Sequence, residues 1–199
     1  MRRSAANDAD TRLYLLVLRC QAGDESAFAQ LVRTFGERTL AHLRTIVGTD
    51  ANDVQQDVWL TVYRRLPSLA NPRAFRTWLF QTTRHRAIDY LRARKREQEL
   101  FDGTDAEAVG VAAPADETLA LAGSAVASML EHLAPAQREV LRLRYEEDLS
   151  YAEIALITGC AIGTVRSRLH HAKRHLQALL KGGSERAAPS VNPPRKDIR

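Results

Sequence analysis

Val54, Val58, Val62 and Leu66 recur at four-residue steps until Pro67 stops the run. Trp59 stands three residues before Val62, and Tyr63 three before Leu66. A strand would send residues at that offset to the opposite face, whereas a helix keeps them on the same one. The stripe therefore predicts an amphipathic packing helix. The same three-and-four spacing governs Phe28, Leu31, Val32, Phe35, Leu40, Leu43 and Ile46, with Gly36 read as a break between helices and Gly48-Thr49-Asp50 as the next turn. Asn71-Pro72 reads as an N-cap followed by the proline that opens a long helix holding Phe75, Trp78, Leu79, Ile88 and Leu91 and ending in the basic run Arg92 to Arg96.

The character of the chain then reverses. Glu97 to Glu117 carries seven acids and no Lys or Arg, amid Gly, Ala and Pro, and reads as a flexible acidic linker. Helical spacing resumes with Leu119, Leu121, Val126, Met129, Leu130 and Leu133, and Pro135 opens a further helix with Val140, Leu141, Leu143 and Tyr145. The expectation is an all-α chain of two small helical domains, 11–96 and 119–181, joined by a linker at 97–118, with disordered tails at 1–10 and 182–199.

Totals exclude several classes. With only Cys20 and Cys160 there is no disulfide framework and no repeated Cys-x-x-Cys pattern, which suits a reducing cytoplasm. Leu13 to Leu18 is far too short to span a bilayer, so no membrane insertion is expected. No cofactor is expected, and no cluster of carboxylates or nucleophile–base pair suggests an enzyme. The net charge of +5 says less than its distribution.

That distribution points to DNA. Ser150-Tyr151-Ala152-Glu153 is a capping box, opening a short helix to Thr158. Gly159 to Gly163 forms a compact turn, and from Thr164 onward Val165, Leu169, Ala172, Leu176 and Leu179 make one apolar face that must pack on Ile154 and Ile157. The opposite face presents Arg166, Ser167, His170, Lys173 and Arg174, and no acid occurs between Glu153 and Glu185. This is a helix-turn-helix whose second helix suits a major groove. Arg166, near the start of that helix, is the candidate base reader, while Lys173, Arg174 and Lys181 suit phosphates. His171 and His175 have a metal-ligand spacing, but Lys173 and Arg174 beside them repel a cation, and no metal site is expected.

Four stretches in order carry a family resemblance. They are Ala22-Gly23-Asp24-Glu25-Ser26-Ala27-Phe28; Asp53-Val54-Gln55-Gln56-Asp57-Val58-Trp59; Phe75-Arg76-Thr77-Trp78-Leu79 with Ala87-Ile88-Asp89-Tyr90-Leu91-Arg92; and Leu149-Ser150-Tyr151-Ala152-Glu153-Ile154-Ala155 leading to Gly163-Thr164-Val165-Arg166-Ser167-Arg168-Leu169. Together they resemble the extracytoplasmic-function group of bacterial sigma factors. The resemblance implies that the first domain meets the clamp of core RNA polymerase through Asp53, Gln56 and Asp57 and opens the minus-ten element. It implies further that Arg76, Arg84 and Arg92 serve the melted non-template strand, that Pro67 to Asn71 helps hold a flipped base, and that the second domain reads the minus-thirty-five duplex. Phe75 and Trp78 fall on the apolar stripe and read as core rather than as stacking platforms. An anti-sigma partner is common in the group, and the acidic linker reads equally as an RNA mimic or a solvated tether. His171 and His85 stand where arginine and asparagine are frequent in the family, which leaves the promoter sequence open. The competing class is a stand-alone helix-turn-helix regulator, which explains the second domain and leaves the Asp53 to Arg92 block unused.

Overall fold

A computed structural model describes residues 2–102 and 129–186, with side chains from 8 to 100 and from 129 to 180. Seven long helices carry it: α1 (Arg2–Gln21), α2 (Glu25–Val47), α3 (Ala51–Arg65), α4 (Phe75–Asp102), α5 (Pro135–Tyr145), α6 (Tyr151–Thr158) and α7 (Ile162–Arg186). No strand occurs among the described residues, in line with the all-α expectation.

The first four helices close around one core. Asp24 caps α2 by accepting from Ala27 N at 3.0 Å and from Arg19 at 2.7 Å, and the Ser26 hydroxyl, the Ala27 amide and Arg19 hold its carboxyl well below the usual carboxylate range. The Val54, Val58, Val62, Leu66 stripe is buried as its spacing requires, against Leu31, Phe35, Leu43, Phe75 and Leu79. Phe35 and Phe75 meet edge to face at 5.6 Å, which confirms Phe75 as core; Trp78 is half-buried beside it. Gln21 ties α1 to the far end of α3 by donating to the carbonyls of Leu66 and Leu69 at 3.1 and 2.8 Å.

Helix boundaries depart from the sequence expectation in four places. Residues 2–10 are helical rather than a disordered tail, because nothing in Arg2–Gln21 is Gly or Pro and the packed turn around Val17 propagates upstream through Ala5, Ala6 and Ala9. Gly36 does not break α2: its carbonyl takes a 2.7 Å bond from Gln55, and the buried flanking residues Phe35, Leu40 and Leu43 outweigh the roughly 1 kcal/mol that glycine costs in a helix. α4 continues through the start of the acidic stretch to Asp102, helped by Lys95–Glu99 one turn apart. α7 begins at Ile162, two residues before Thr164, and passes Gly182 and Gly183 to reach Arg186. The linker and periodic residues from 103 to 128, and the tail from 187 onward, lie outside the described residues.

A second core joins α5, α6 and α7 through Val140, Leu143, Leu149, Ile154, Ile157, Val165, Leu169 and Ala172. One of its members comes from elsewhere. Phe80 of α4, 1% exposed, enters this cluster rather than the first. The two domains are therefore docked on each other, with α4 lying against both.

Candidate functional site

The helix-turn-helix is assembled by local chemistry. Ser150 accepts from Glu153 N at 3.3 Å while Glu153 Oε2 accepts from Ser150 N at 2.8 Å, completing the capping box. Gly159 ends α6 at φ +66°, the left-handed conformation, and its N–H and that of Cys160 both return to the Ala155 carbonyl. Val165, Leu169 and Ala172 are buried on Ile154 and Ile157, which turns the opposite face of α7 outward. Arg166, Ser167, His170, His171, Lys173 and Arg174 are all exposed there.

Their readiness differs. No ion pair or hydrogen bond engages Arg166, Ser167 or Arg174 among the described residues, and His170 and His171 touch only each other, ring to ring at 5.8 Å. Lys173 is engaged: its ammonium lies 5.4 Å from the centre of the Tyr145 ring, and the neighbouring Tyr145 side chain holds it above its usual range. The Lys181 side chain lies outside those described. Arg168, half-buried, instead points to Cys160 Sγ at 3.7 Å, beneath the exposed row. Cys160 also contacts the Thr158 hydroxyl at 3.1 Å, and Cys20 is buried in the first core. No group of residues suited to a metal ion occurs among the described residues.

On the first domain, an open groove of about 630 Å³ runs between α3 and α4, lined by Arg65, Arg84, His85, Arg86 and Arg92 with Asp89 as its lone acid. It brings Arg84 and Arg92 together as the sequence implied and adds Arg65, which sequence reasoning missed. The signal was present in the basic last turn of α3, Arg64-Arg65, but cations there also complement a helix C-terminus, so the pair did not stand out. Arg92 is exposed and touches only Asp89, at 3.7 Å. Arg86 donates to the Thr61 hydroxyl at 3.0 Å.

Two predicted first-domain cations are committed inside the molecule. Arg84 Nε donates to Glu139 Oε1 of α5 at 2.9 Å, and Arg76 reaches the Glu147 carbonyl at 3.3 Å and Asp10 at 3.4 Å. Glu139 and Glu147 are both buried, and burial pushes both carboxyls above their ordinary range despite the attraction of Arg84 and of Arg38. Asp53, Gln56 and Asp57 are exposed on α3, on the side away from the valine stripe, and so available to a partner.

No helix among the described residues is long and apolar enough to cross a membrane. Family descriptions match both domains: Sigma-70 region 2 over residues 31–97 and Sigma-70, region 4 over residues 124–176. Among curated relatives, the RNA polymerase sigma-H factor of Pseudomonas aeruginosa is 32% identical, with the match covering 83% of this chain and 92% of that protein. The ECF RNA polymerase sigma-E factor of Escherichia coli is 33% identical over 80% of this chain and 89% of that one. The solved structure of CnrH in complex with the cytosolic domain of CnrY superposes with a TM-score of 0.57 at 26% identity, covering 85% of this chain and 97% of that one. The sigma factor RpoE from Bartonella quintana, solved in complex with the anti-sigma factor NepR, gives 0.55 at 30% identity, covering 77% and 96%. With both regions in order, docked helices of matching fold and relatives matched over nearly their full length, the chain belongs to the extracytoplasmic-function family of RNA polymerase sigma factors.

Proposed function

We propose that the chain binds core RNA polymerase through the Asp53, Gln56 and Asp57 face of α3, reads the minus-thirty-five duplex with α7, and holds the melted minus-ten strand along the groove of α4. The observation that carries the reading is the outward face of α7, where Arg166, Ser167, His170, His171 and Arg174 stand exposed without an acid among them. Such a row meets DNA phosphates and base edges with no internal partner to displace. Arg166 is the base reader and Arg174 a phosphate contact, with Lys173 a weaker one because Tyr145 already holds it. In the groove, Arg92 and Arg65 supply charge to an exposed backbone, beside His85. Catalysis belongs to the polymerase. Because the solved RpoE relative above was captured with the anti-sigma factor NepR, an anti-sigma protein is part of the proposal.

Adding the purified full chain to core RNA polymerase and a promoter library, then sequencing transcript 5′ ends, tests the reading. The expected result is initiation downstream of one shared pair of elements, lost when Asp53, Gln56 and Asp57 are replaced together by Ala. Tight binding of the chain alone, as a dimer, to a palindromic duplex with no response to core polymerase would assign it to the stand-alone regulators instead.

A further inference from the structure

The connection between α3 and α4 is held from outside itself. Residues 66–74 join the two helices that wall the cationic groove, starting directly after Arg65, which lines it. Two short 3-10 turns, Leu66–Ser68 and Pro72–Ala74, carry this stretch, and Pro67 and Pro72 have no N–H to give. Local bonds support its two ends: Leu69 N donates to the Leu66 carbonyl at 3.1 Å, and the Asn71 side chain accepts from Arg73 N at 3.1 Å. A remote residue holds the part between them. Gln21 Nε2, at the end of α1, donates to the carbonyls of Leu66 at 3.1 Å and Leu69 at 2.8 Å, 45 and 48 residues away. One amide group thus grips the first turn and pins Leu69, where the backbone leaves helical geometry at ψ 107°. Two turns upstream on the same face of α1, the Tyr14 ring lies 5.1 Å from the Arg73 guanidinium and steadies the far side of the connection. Gln21 is itself placed by a tight corner, in which Gly23 at φ +88° reverses the chain and Asp24 accepts from both Arg19 and Ala27 N.

The connection is anchored on its inner side and open on its outer one. Leu66 is buried and Leu69 packs on the first core, while Pro67, Ser68, Ala70 and Asn71 are exposed. Compact side chains on a pinned backbone make a shallow rim beside the Arg65 end of the groove, with room for a flat nucleobase. We propose that Gln21 is a positioning residue for minus-ten recognition: it holds the rim at 67–71 in the one conformation that accepts a base of the melted strand, without touching DNA itself. The inference rests on the strand-holding function proposed above. Its physical basis is preorganisation. A loop that is ordered before binding loses little freedom when the correct base enters, and it cannot shift its backbone to suit a wrong one. α1 precedes the residues 31–97 matched by the region 2 description, so the groove and the element that steadies its rim come from different parts of the chain.

The test uses holoenzyme assembled from core RNA polymerase and the full chain carrying Gln21→Met, which keeps the length of the side chain, adds no charge and removes the N–H donors. Two promoter libraries, one randomised across the minus-ten element and one across the minus-thirty-five element, are transcribed and the transcript 5′ ends sequenced. The variant should lose about tenfold of the wild-type preference for the favoured base at one or more minus-ten positions, the effect of two lost hydrogen bonds, and keep its minus-thirty-five preference. Amide hydrogen exchange of the free chain should quicken in the peptide covering 66–74 and stay unchanged in α7. A glutamine that only stabilises the fold would lower output from every promoter and leave the ranking of bases as in wild type; that result, or exchange at the wild-type rate in 66–74, would overturn the inference. Val47→Ala supplies a control for general destabilisation, since it opens the first core at the far end of α2 from the Gln21 corner. It should reduce stability and spare the minus-ten preference, and an equal flattening by this control counts against the role of Gln21. If wild-type holoenzyme shows no minus-ten preference, the strand-holding reading falls and the inference with it. If wild type shows the preference and Gln21→Met retains it, only the positioning role falls.

Discussion

α4 and α7 are the two long basic helices of this chain, and they use their cations in opposite ways. On α7, Arg166 and Arg174 project with no bonding partner among the described residues. On α4, Arg76, Arg84, Arg86, Arg94 and Lys95 each meet an oxygen of the protein itself, from Glu147 and Asp10, Glu139, Thr61, Asp50 and Glu99 in turn. A count of basic residues would rank α4 the stronger DNA binder. The structure ranks it second, because a cation already bonded to the protein must exchange that partner before it can meet a phosphate, at the greatest cost for Arg84, whose partner Glu139 is buried. Two things separate the helices: the second domain engages Arg76 and Arg84 of α4 while carrying α7 on its outer face, and Arg86, Arg94 and Lys95 are held by oxygens of the first domain itself.

The contrast is most exposed at Phe80. Phe80→Ala should remove about 3–5 kcal/mol of packing, and because the ring bridges the domains the loss should appear as separate unfolding steps in a urea titration followed by circular dichroism. An unchanged single transition would show that α4 does not depend on the second core. Next in size, Arg166→Ala should cost about 1–3 kcal/mol of discrimination at particular positions of the minus-thirty-five duplex, read by competition with single-base variants, whereas Arg174→Ala should weaken all sequences alike and lower the salt slope by about one phosphate contact. Equal losses on every sequence for both substitutions would remove base reading from α7 and with it half of the contrast.

The smallest effect tests the buried side through pH. Burial, then the nearby charges of Arg142 and Arg84, push the His42 ring down from 6.5 to about 3. Below pH 6.5 the unfolded chain takes up a proton that the folded one refuses, so stability contributed at this site falls with falling pH, approaching about 1.4 kcal/mol per pH unit. Glu139 and Glu147, both pushed upward, act in the opposite sense and are present in either protein. Denaturation midpoints of wild type and His42→Leu should therefore diverge between pH 7 and pH 5, with the variant losing less. Parallel profiles would show that His42 stays hydrated in the folded chain.

Much of α7 was legible in advance, for local reasons. The capping box at Ser150, the left-handed Gly159 and the split between Val165, Leu169, Ala172 and the exposed row all act within a few residues of one another, the range over which spacing and caps carry information. The valine stripe of α3 was legible in the same way. Helix lengths were less so, since Gly36 and Gly182 look like stops and the tertiary contacts or helix continuity around them override that preference. Lys173 was misweighted because its partner Tyr145 sits on another helix.

The helical class, the order of the two domains, the helix-turn-helix and the outward cations of α7 belong to the sequence by itself, since each follows from periodicity and capping along one stretch of chain. The use of α4 was decided by tertiary structure alone. Arg84 meets a glutamate 55 residues away, and Arg38 one 109 away. No local rule joins such pairs, and the cost of taking two charges out of water is offset only where the tertiary structure sets both partners in good geometry. That packing, anchored by Phe80, turns Arg76 and Arg84, two cations that read as part of a nucleic-acid surface, into contacts between the two domains.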